Sequence, residues 1–333
     1  MKKPIICVPM GDPAGVGPEI LAAAAVDPIV KETACLVGVG NAEILKRAAQ
    51  AMKVAPEVNP VNVSLEGLKE DAFNLVNLDN VNLDEFAYGR VSAMCGKASY
   101  EYIEVATRLA MEKKVDAIAT TCINKESIKA AHVPYIGHTE MLAGLSNSHD
   151  PLTMFQVFDL RVFFLTRHMS LIDACKAITV ERTVDYIARC TAALKQLGIK
   201  DPKITVAGLN PHCGEHGLFG NEENAILVPA IEEARKRGFN VDGPKPADSV
   251  FHFALKRKTC DAVLSLYHDQ GHIATKMVDF ERTISLTLGM PFLRTSVDHG
   301  TAFDIAGKGI VSAVSMVEAI RLAALYAPHF NAA

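Results

Sequence analysis

The sequence predicts an α/β protein with mostly parallel strand pairing, on three observations. Short β-rich runs alternate with segments whose apolar residues recur at helical spacing. The chain of 333 residues is long enough for a large core and two lobes. Polar, chemistry-bearing residues stand just after the apolar runs, where open α/β sheets bind ligands.

Residues 5–10 read as the first strand. Met1-Lys2-Lys3 ahead of it gives the start the look of a signal peptide, but the apolar part is short and Gly11-Asp12-Pro13 interrupts it. Residues 35–39, 74–78 and 116–121 read as further strands, and 41–52 and 92–113 as helices. The stretch 56–83, rich in Asn and Pro, reads largely as irregular surface around the 74–78 strand. Residues 152–158 and 161–166 form a candidate strand pair, followed by a long amphipathic helix over 180–197. A strand at 203–209, a helix at 221–237, buried strands at 261–267 and 284–288 and a closing helix at 315–327 complete the alternation. No repeat or low-complexity linker marks a boundary, which fits two lobes that share the chain discontinuously: 1–130 with 300–333, and 131–299.

Composition removes several function classes. No apolar run reaches the roughly 18 residues a membrane helix needs. A net charge of −4, without a basic stripe interleaved with aromatics, argues against nucleic acid as partner, and Lys256-Arg257-Lys258 reads as solvated helix surface. No two of the eight cysteines have Cys-x-x-Cys spacing, and most stand among apolar neighbours, as small buried hydrophobes in a reducing cytoplasm would. Neither a Gly-x-Ser-x-Gly elbow nor a His-Glu-x-x-His pair occurs, which disfavours a serine hydrolase or a zinc protease.

Five groups of residues carry candidate chemistry. Gly11-Asp12-Pro13-Ala14-Gly15-Val16-Gly17-Pro18-Glu19 follows a strand and opens a helix; its spacing is neither the dinucleotide fingerprint nor the P-loop, and a tight strand–helix turn would use the same residues. Thr120-Thr121-Cys122-Ile123-Asn124-Lys125 puts Lys125 at a strand end, as a cleft residue or as ordinary surface. In Gly137-His138-Thr139-Glu140, donors and an acid side by side could grip a phosphate or carboxylate, although a satisfied loop histidine is commoner. His168, His212 and His268 each follow an apolar strand run at its carboxyl end. Parallel strands would carry all three to one edge, where they could converge on a cation, whereas any one alone reads as structural. His216, His252, His272 and His299 lack that placement, though His272 and His299 lie near the same loops. Arg294, in Arg294-Thr295-Ser296-Val297-Asp298-His299-Gly300-Thr301-Ala302 after the apolar run 284–293, suits bidentate anion binding or a structural ion pair with Asp298.

At these segments (11–19, 137–140, 208–212, 267–271 and 294–302) the sequence resembles the 4-hydroxythreonine-4-phosphate dehydrogenase family, along nearly its whole length. The resemblance implies an isocitrate/isopropylmalate dehydrogenase-like architecture, two α/β/α lobes around an active-site cleft, acting as a homodimer. It implies that His168, His212 and His268 bind a divalent cation (Zn, Mg, Mn or Co) with ligands from both subunits, and that NAD or NADP takes the hydride. It also implies that His138, Thr139, Lys276 and Arg294 contact the substrate.

Departures point within the family. Ser285 stands where the vitamin B6 enzymes carry a substrate-contacting Asn. Thr120-Thr121-Cys122 replaces Thr-Gly-Pro, and Gly271-His272-Ile273-Ala274-Thr275-Lys276 looks like the branch acting on D-threonate 4-phosphate or D-erythronate 4-phosphate. The expected reaction is oxidation at C3 followed by loss of CO2, giving dihydroxyacetone phosphate. The candidate base is Lys125 or a metal-linked water, and Asp248 and Asp269 are the candidate partners that orient the histidines. The alternatives are 4-hydroxy-L-threonine 4-phosphate oxidation in pyridoxal phosphate synthesis, a cis-dihydrodiol dicarboxylate dehydrogenase, and a non-catalytic metabolite-binding protein.

Overall fold

The computed structural model describes residues 2–330. The strands run in chain order β1 (Ile5–Pro9), β2 (Cys35–Gly40), β3 (Val58–Val61), β4 (Phe73–Asn77), β5 (Ala117–Thr120), β6 (Leu152–Val157), β7 (Leu160–Phe164), β8 (Ile204–Ala207), β9 (Val241–Lys245), β10 (Ala262–Ser265), β11 (Ile284–Leu288) and β12 (Leu293–Ser296), with helices between them. The chain forms two compact units, Met1–Pro151 with Ile284–Ala333, and Leu152–Thr283. The division is discontinuous, but segments 131–151 and 284–299 fall in the first unit rather than the second, where the sequence reading put them. The physical reason is pairing: β12 joins β5 in parallel over four residues and takes β11 with it.

In the first unit the strand order is β3-β4-β2-β1-β5-β12-β11. β1 pairs in parallel with β2 on one side and β5 on the other, so the winding reverses there, and the loops after β1 and β5 leave from the strands' carboxyl ends, the edge at which open α/β sheets bind ligands. Ile6, Cys7 and Val8 are fully buried, as a central strand covered on both faces requires. Helix Ala93–Met111 starts at Ser92, whose hydroxyl accepts from the Cys95 amide. Gly96 in that helix lets Ser127 of helix Lys125–Ala130 approach so closely that a Cβ would sit 2.0 Å from the Ser127 carbonyl oxygen.

In the second unit the order is β6-β7-β10-β8-β9. β6 and β7 form an antiparallel hairpin; β10 pairs in parallel with β7 and β8, and β8 with β9. Phe155, Val162, Phe164, Val250, Phe251 and Val263 form its core. Because β7, β10 and β8 are adjacent and parallel, the loops carrying His168, His268 and His212 leave from one edge.

Three local expectations change. The stretch expected to be irregular contains β3, an edge strand parallel to β4, which can hold Pro60 because an edge strand has one side without a ladder. The apolar run 284–293 is a hairpin: Gly289, at φ +80°, and Pro291 turn the chain, so Arg294 lies inside β12 and not on a loop beyond a strand. The helix expected over 221–237 opens with a π-turn, Glu223–Leu227, before Val228–Lys236, since Pro229 lacks the amide that a continuous α-helix would use. Most of the cysteines are buried, as expected: Cys7, Cys35, Cys95, Cys122 and Cys190 are, whereas Cys213 and Cys260 are half-buried and Cys175 is exposed.

Candidate active site

The Gly11–Glu19 segment is used up by its own unit. The Val16 amide donates to the Thr301 carbonyl, the Gly89 amide donates to Ala14, and the Glu19 carboxylate accepts from the Gly307 and Gly309 amides at 2.8 Å each. Gly15 has no room for a Cβ beside Thr301. These contacts favour the tight-turn reading over ligand binding by its glycines. Asp12 differs: it is fully buried, its Oδ1 accepts from the Ala14 amide at 2.9 Å, and its Oδ2 has no partner. Burial pushes its carboxyl up to about 6, against the Ala14 bond and the Ser127 hydroxyl, which pull down.

Beside the reversal point stands a buried cation. Arg294 donates from Nε and Nη2 to the Thr120 hydroxyl at 3.1 and 2.8 Å, and from Nη1 to the Thr287 hydroxyl at 2.9 Å. These bonds engage three of the five guanidinium hydrogens and involve only neutral oxygens. The structural alternative, a hydrogen-bonded pair with Asp298, is not the arrangement seen. Burial lowers the Arg294 pKa to about 10, so it is still a cation at neutral pH. His138 begins helix His138–Leu145, with Thr139 next; its Nε2 is covered and has no partner. Burial first, and the Arg294 charge second, hold its imidazole well below the usual range and therefore neutral. Lys125 begins its own helix, capped by the Asn124 side chain, and its Cε lies 3.8 Å from where a Cβ on Gly137 would be. Thus Lys125, His138, Thr139 and Arg294 group around one helix N-terminus, a setting suited to an anion. Ser285 pairs in register with Ser296 across the hairpin and is partly exposed.

The second unit holds the imidazoles. His168 and His268 line a cavity of about 340 Å³ with Arg167, Tyr267 and Asp269, their ring centroids 6.0 Å apart. His268 Nδ1 meets Asp269 Oδ1 at 2.7 Å; with Nδ1–H donating to that carboxylate, Nε2 presents its lone pair to a cation. His212 is not in that cavity. It is exposed on a turn in which His212, Cys213, Gly214, Glu215 and His216 all have positive φ, and it lies 6.4 Å from the Phe219 ring. Left-handed backbone costs a non-glycine residue roughly 1–2 kcal/mol, so the turn needs an external hold. Glu223, buried in the π-turn, supplies it: Oε1 accepts from the Leu209 and Asn210 amides at 2.8 and 2.7 Å, and Oε2 from the Asn210 side chain at 2.9 Å. Sequence reasoning missed Glu223, because one acid in the polar run 221–224 carries no spacing signal.

Imidazole nitrogens suit first-row divalent cations, and the His168–His268 pair fits such an ion by donor chemistry. No group of three His, Cys, Asp or Glu that could hold a metal gathers within the one chain among the described residues. Asp248 lies near enough to Cys213, the neighbour of His212, to help burial and Glu223 push that thiol up to about 11. Lys276 stands over the Phe280 ring at 5.2 Å. His299 bonds through both nitrogens, to the Gly300 carbonyl and the Ser315 hydroxyl, and is structural.

Comparison with known proteins adds three findings. A family model described as pyridoxal phosphate biosynthetic protein PdxA matches residues 32–323. Two curated relatives, from Fusobacterium nucleatum (61% identical over 327 residues, 98% of each chain) and Halalkalibacterium halodurans (59% over 330 residues, 99% of this chain and 98% of the other), both carry the name "Putative D-threonate 4-phosphate dehydrogenase". A crystal structure of 4-hydroxythreonine-4-phosphate dehydrogenase from Klebsiella pneumoniae superposes with TM-score 0.89 at 37% identity, over 98% of each chain. Among the described residues no helix is long and apolar enough to cross a membrane.

Proposed function

The chain belongs to the pyridoxal phosphate biosynthetic protein PdxA family, and from that premise we propose that it oxidises and decarboxylates a 4-phosphorylated four-carbon 3-hydroxy acid. D-Threonate 4-phosphate or D-erythronate 4-phosphate is the substrate and NAD or NADP the hydride acceptor. Hydride leaves C3, the resulting β-keto acid loses C1 as CO2, and protonation at C2 gives dihydroxyacetone phosphate. The proton released on oxidation balances the one taken up on decarboxylation.

The observation that carries this reading is the cavity shared by His168 and His268, with Asp269 setting the His268 tautomer. A divalent cation held there would supply Lewis acidity to a hydroxyl and to the negative charge that decarboxylation generates. Arg294 binds a phosphate or carboxylate with its two remaining N–H groups, His138 stays neutral as a hydrogen-bonding partner, and Thr139 and the amides of its helix turn add donors. Lys125 is the candidate group to accept the hydroxyl proton, and Lys276 adds positive charge for the phosphate.

His212 completes the ligand set from a second copy of the chain. Two features support this: among the described residues the single chain gathers two of the three imidazoles in one cavity, and exposed apolar residues follow each histidine. They are Met169, Leu171 and Ile172 after His168, Leu218 and Phe219 after His212, and Ile273 and Met277 after His268.

The test is reduction of NAD or NADP by the purified protein with zinc, magnesium, manganese or cobalt. D-Threonate 4-phosphate, D-erythronate 4-phosphate and 4-hydroxy-L-threonine 4-phosphate are assayed side by side, with the His212→Ala variant as control. Turnover of a sugar-acid phosphate that is lost in the variant supports the proposal. The solved structure of the Klebsiella enzyme favours a second reading: turnover of the amino acid alone would assign this protein to pyridoxal phosphate synthesis. Inactivity with all three substrates would overturn both.

A further inference from the structure

His272 has no part in the reaction proposed above, yet it occupies the most constrained place near the imidazole pair. It lies one turn after His268 on helix His268–Val278, on the same face. Its ring stacks on that of His268 with centroids 4.0 Å apart and planes 27° apart. On its other sides it meets Phe155 of β6 at 4.3 Å, edge-on, and Phe164 of β7 at 4.6 Å. Gly271 makes this packing possible, since a Cβ there would lie 2.5 Å from Phe164. His272 Nδ1 is buried and unbonded, so the ring is held by its faces and not by its nitrogens.

The stack matters because the terminal torsion of a histidine is broad and does not fix its own ring plane. Two contacts orient the His268 ring. One is the bond to Asp269, whose side chain is 72% exposed and therefore open to competition from water. The other is the stack on His272, which is anchored in the Phe155–Phe164 core. Near-parallel rings at 4.0 Å cannot both aim in-plane lone pairs at one cation a bond length away, so His272 is a support and not a further ligand.

We propose that His272 is a positioning residue that fixes the ring plane of His268 through the stack, so that Nδ1 stays on Asp269 and the tautomer set by that bond is kept, and that it thereby sets the affinity of the imidazole site for a divalent cation. The metal part of this rests on the function proposed above; the tautomer part does not. Support of a ligand from outside the coordination sphere is commonly worth 10–100-fold in metal affinity.

The test uses the full chain and four forms: unsubstituted, His272→Ala, His272→Phe and His268→Ala. Cobalt(II) binding is followed by visible absorbance, and the imidazole nitrogen-15 shifts of the metal-free proteins report the His268 tautomer. His272→Ala is expected to weaken cobalt binding about tenfold or more and to give a mixed His268 tautomer. His272→Phe, which restores an aromatic face without a nitrogen, is expected to recover most of both. Equal loss in His272→Phe and His272→Ala would overturn the proposal in favour of a nitrogen role, and unchanged affinity and tautomer in His272→Ala would overturn it outright. Cobalt binding that survives in His268→Ala would remove the metal reading instead, and the metal-free tautomer would still decide the role of His272. Should His272→Ala unfold, His272→Phe against the unsubstituted protein decides: retained affinity and tautomer support the stack, and loss overturns it.

Discussion

The Arg294 guanidinium donates twice to the Thr120 hydroxyl, from Nε at 3.1 Å and Nη2 at 2.8 Å. The two residues are 174 positions apart in sequence and are brought together by parallel pairing of β5 and β12. A buried cation held by neutral hydroxyls keeps its charge available to an anion, whereas a carboxylate partner would neutralise it.

Replacing Thr120 with Val keeps the shape and removes the acceptor. The buried guanidinium then loses two of its three bonds, and stability is expected to fall by about 1–3 kcal/mol in chemical denaturation. The KM for the phosphorylated substrate should rise more than kcat falls. Thr120→Ser should behave like the unsubstituted protein, and an unaltered KM in Thr120→Val would show that Arg294 is not aimed by this bond.

Asp12 makes stability depend on pH. Its folded pKa, about 6, lies above the ordinary 3.8 of an aspartate, because burial disfavours the charged form. Between those values the folded state holds the proton more tightly, so its contribution is fully present below about pH 4 and is lost as pH rises through about 6. Relative to Asp12→Asn, the unsubstituted protein should lose up to about 3 kcal/mol between pH 4 and pH 7. Denaturant midpoints of both forms across that range measure this, and parallel curves would refute it.

His138 acts with the opposite sign. Its folded pKa is held below the usual 6.5 by burial and by Arg294. Its contribution to stability is therefore present above about pH 6.5 and declines as pH falls toward the folded value. Proton NMR of the imidazole should show no titration of His138 between about pH 8 and pH 6, and His138→Asn should flatten the acid limb of the stability curve. A midpoint near 6.5 for His138 would contradict its burial beside Arg294.

Glu223 holds the His212 turn, so Glu223→Ala should release it. The loss of charge-assisted bonds to the Leu209 and Asn210 amides is expected to cost about 2–4 kcal/mol. Hydrogen exchange at those two amides should rise well above that of neighbouring β8. Unchanged protection there would mean that the turn is held by other contacts.

Much of this was legible in the sequence. The strand at residues 35–39 and the helices near 41–52 and 92–113 emerge close to their structural limits, because each has local determinants: an uninterrupted apolar run for β2, and Asn41 and Ser92 as caps. The placement of His168, His212 and His268 after strands was readable for the same reason. The turn at Gly289 and Pro291 was not, since the apolar run 284–293 keeps one character through a change of direction. Nor was the role of Glu19, whose carboxylate caps amides 288 and 290 residues away.

The sequence by itself determined the α/β alternation and which residues have donor chemistry, because propensity, capping and apolar period act over a few neighbours. Tertiary structure alone decided that His268 and His168 share a cavity while His212 stands on a separate turn, that Arg294 is aimed by Thr120 and Thr287, and that His272 faces His268 with two phenylalanines behind it. Those relations depend on which strands become neighbours. Strand order is set by burial of whole sheet faces, a property of the assembled chain that no local stretch of residues encodes.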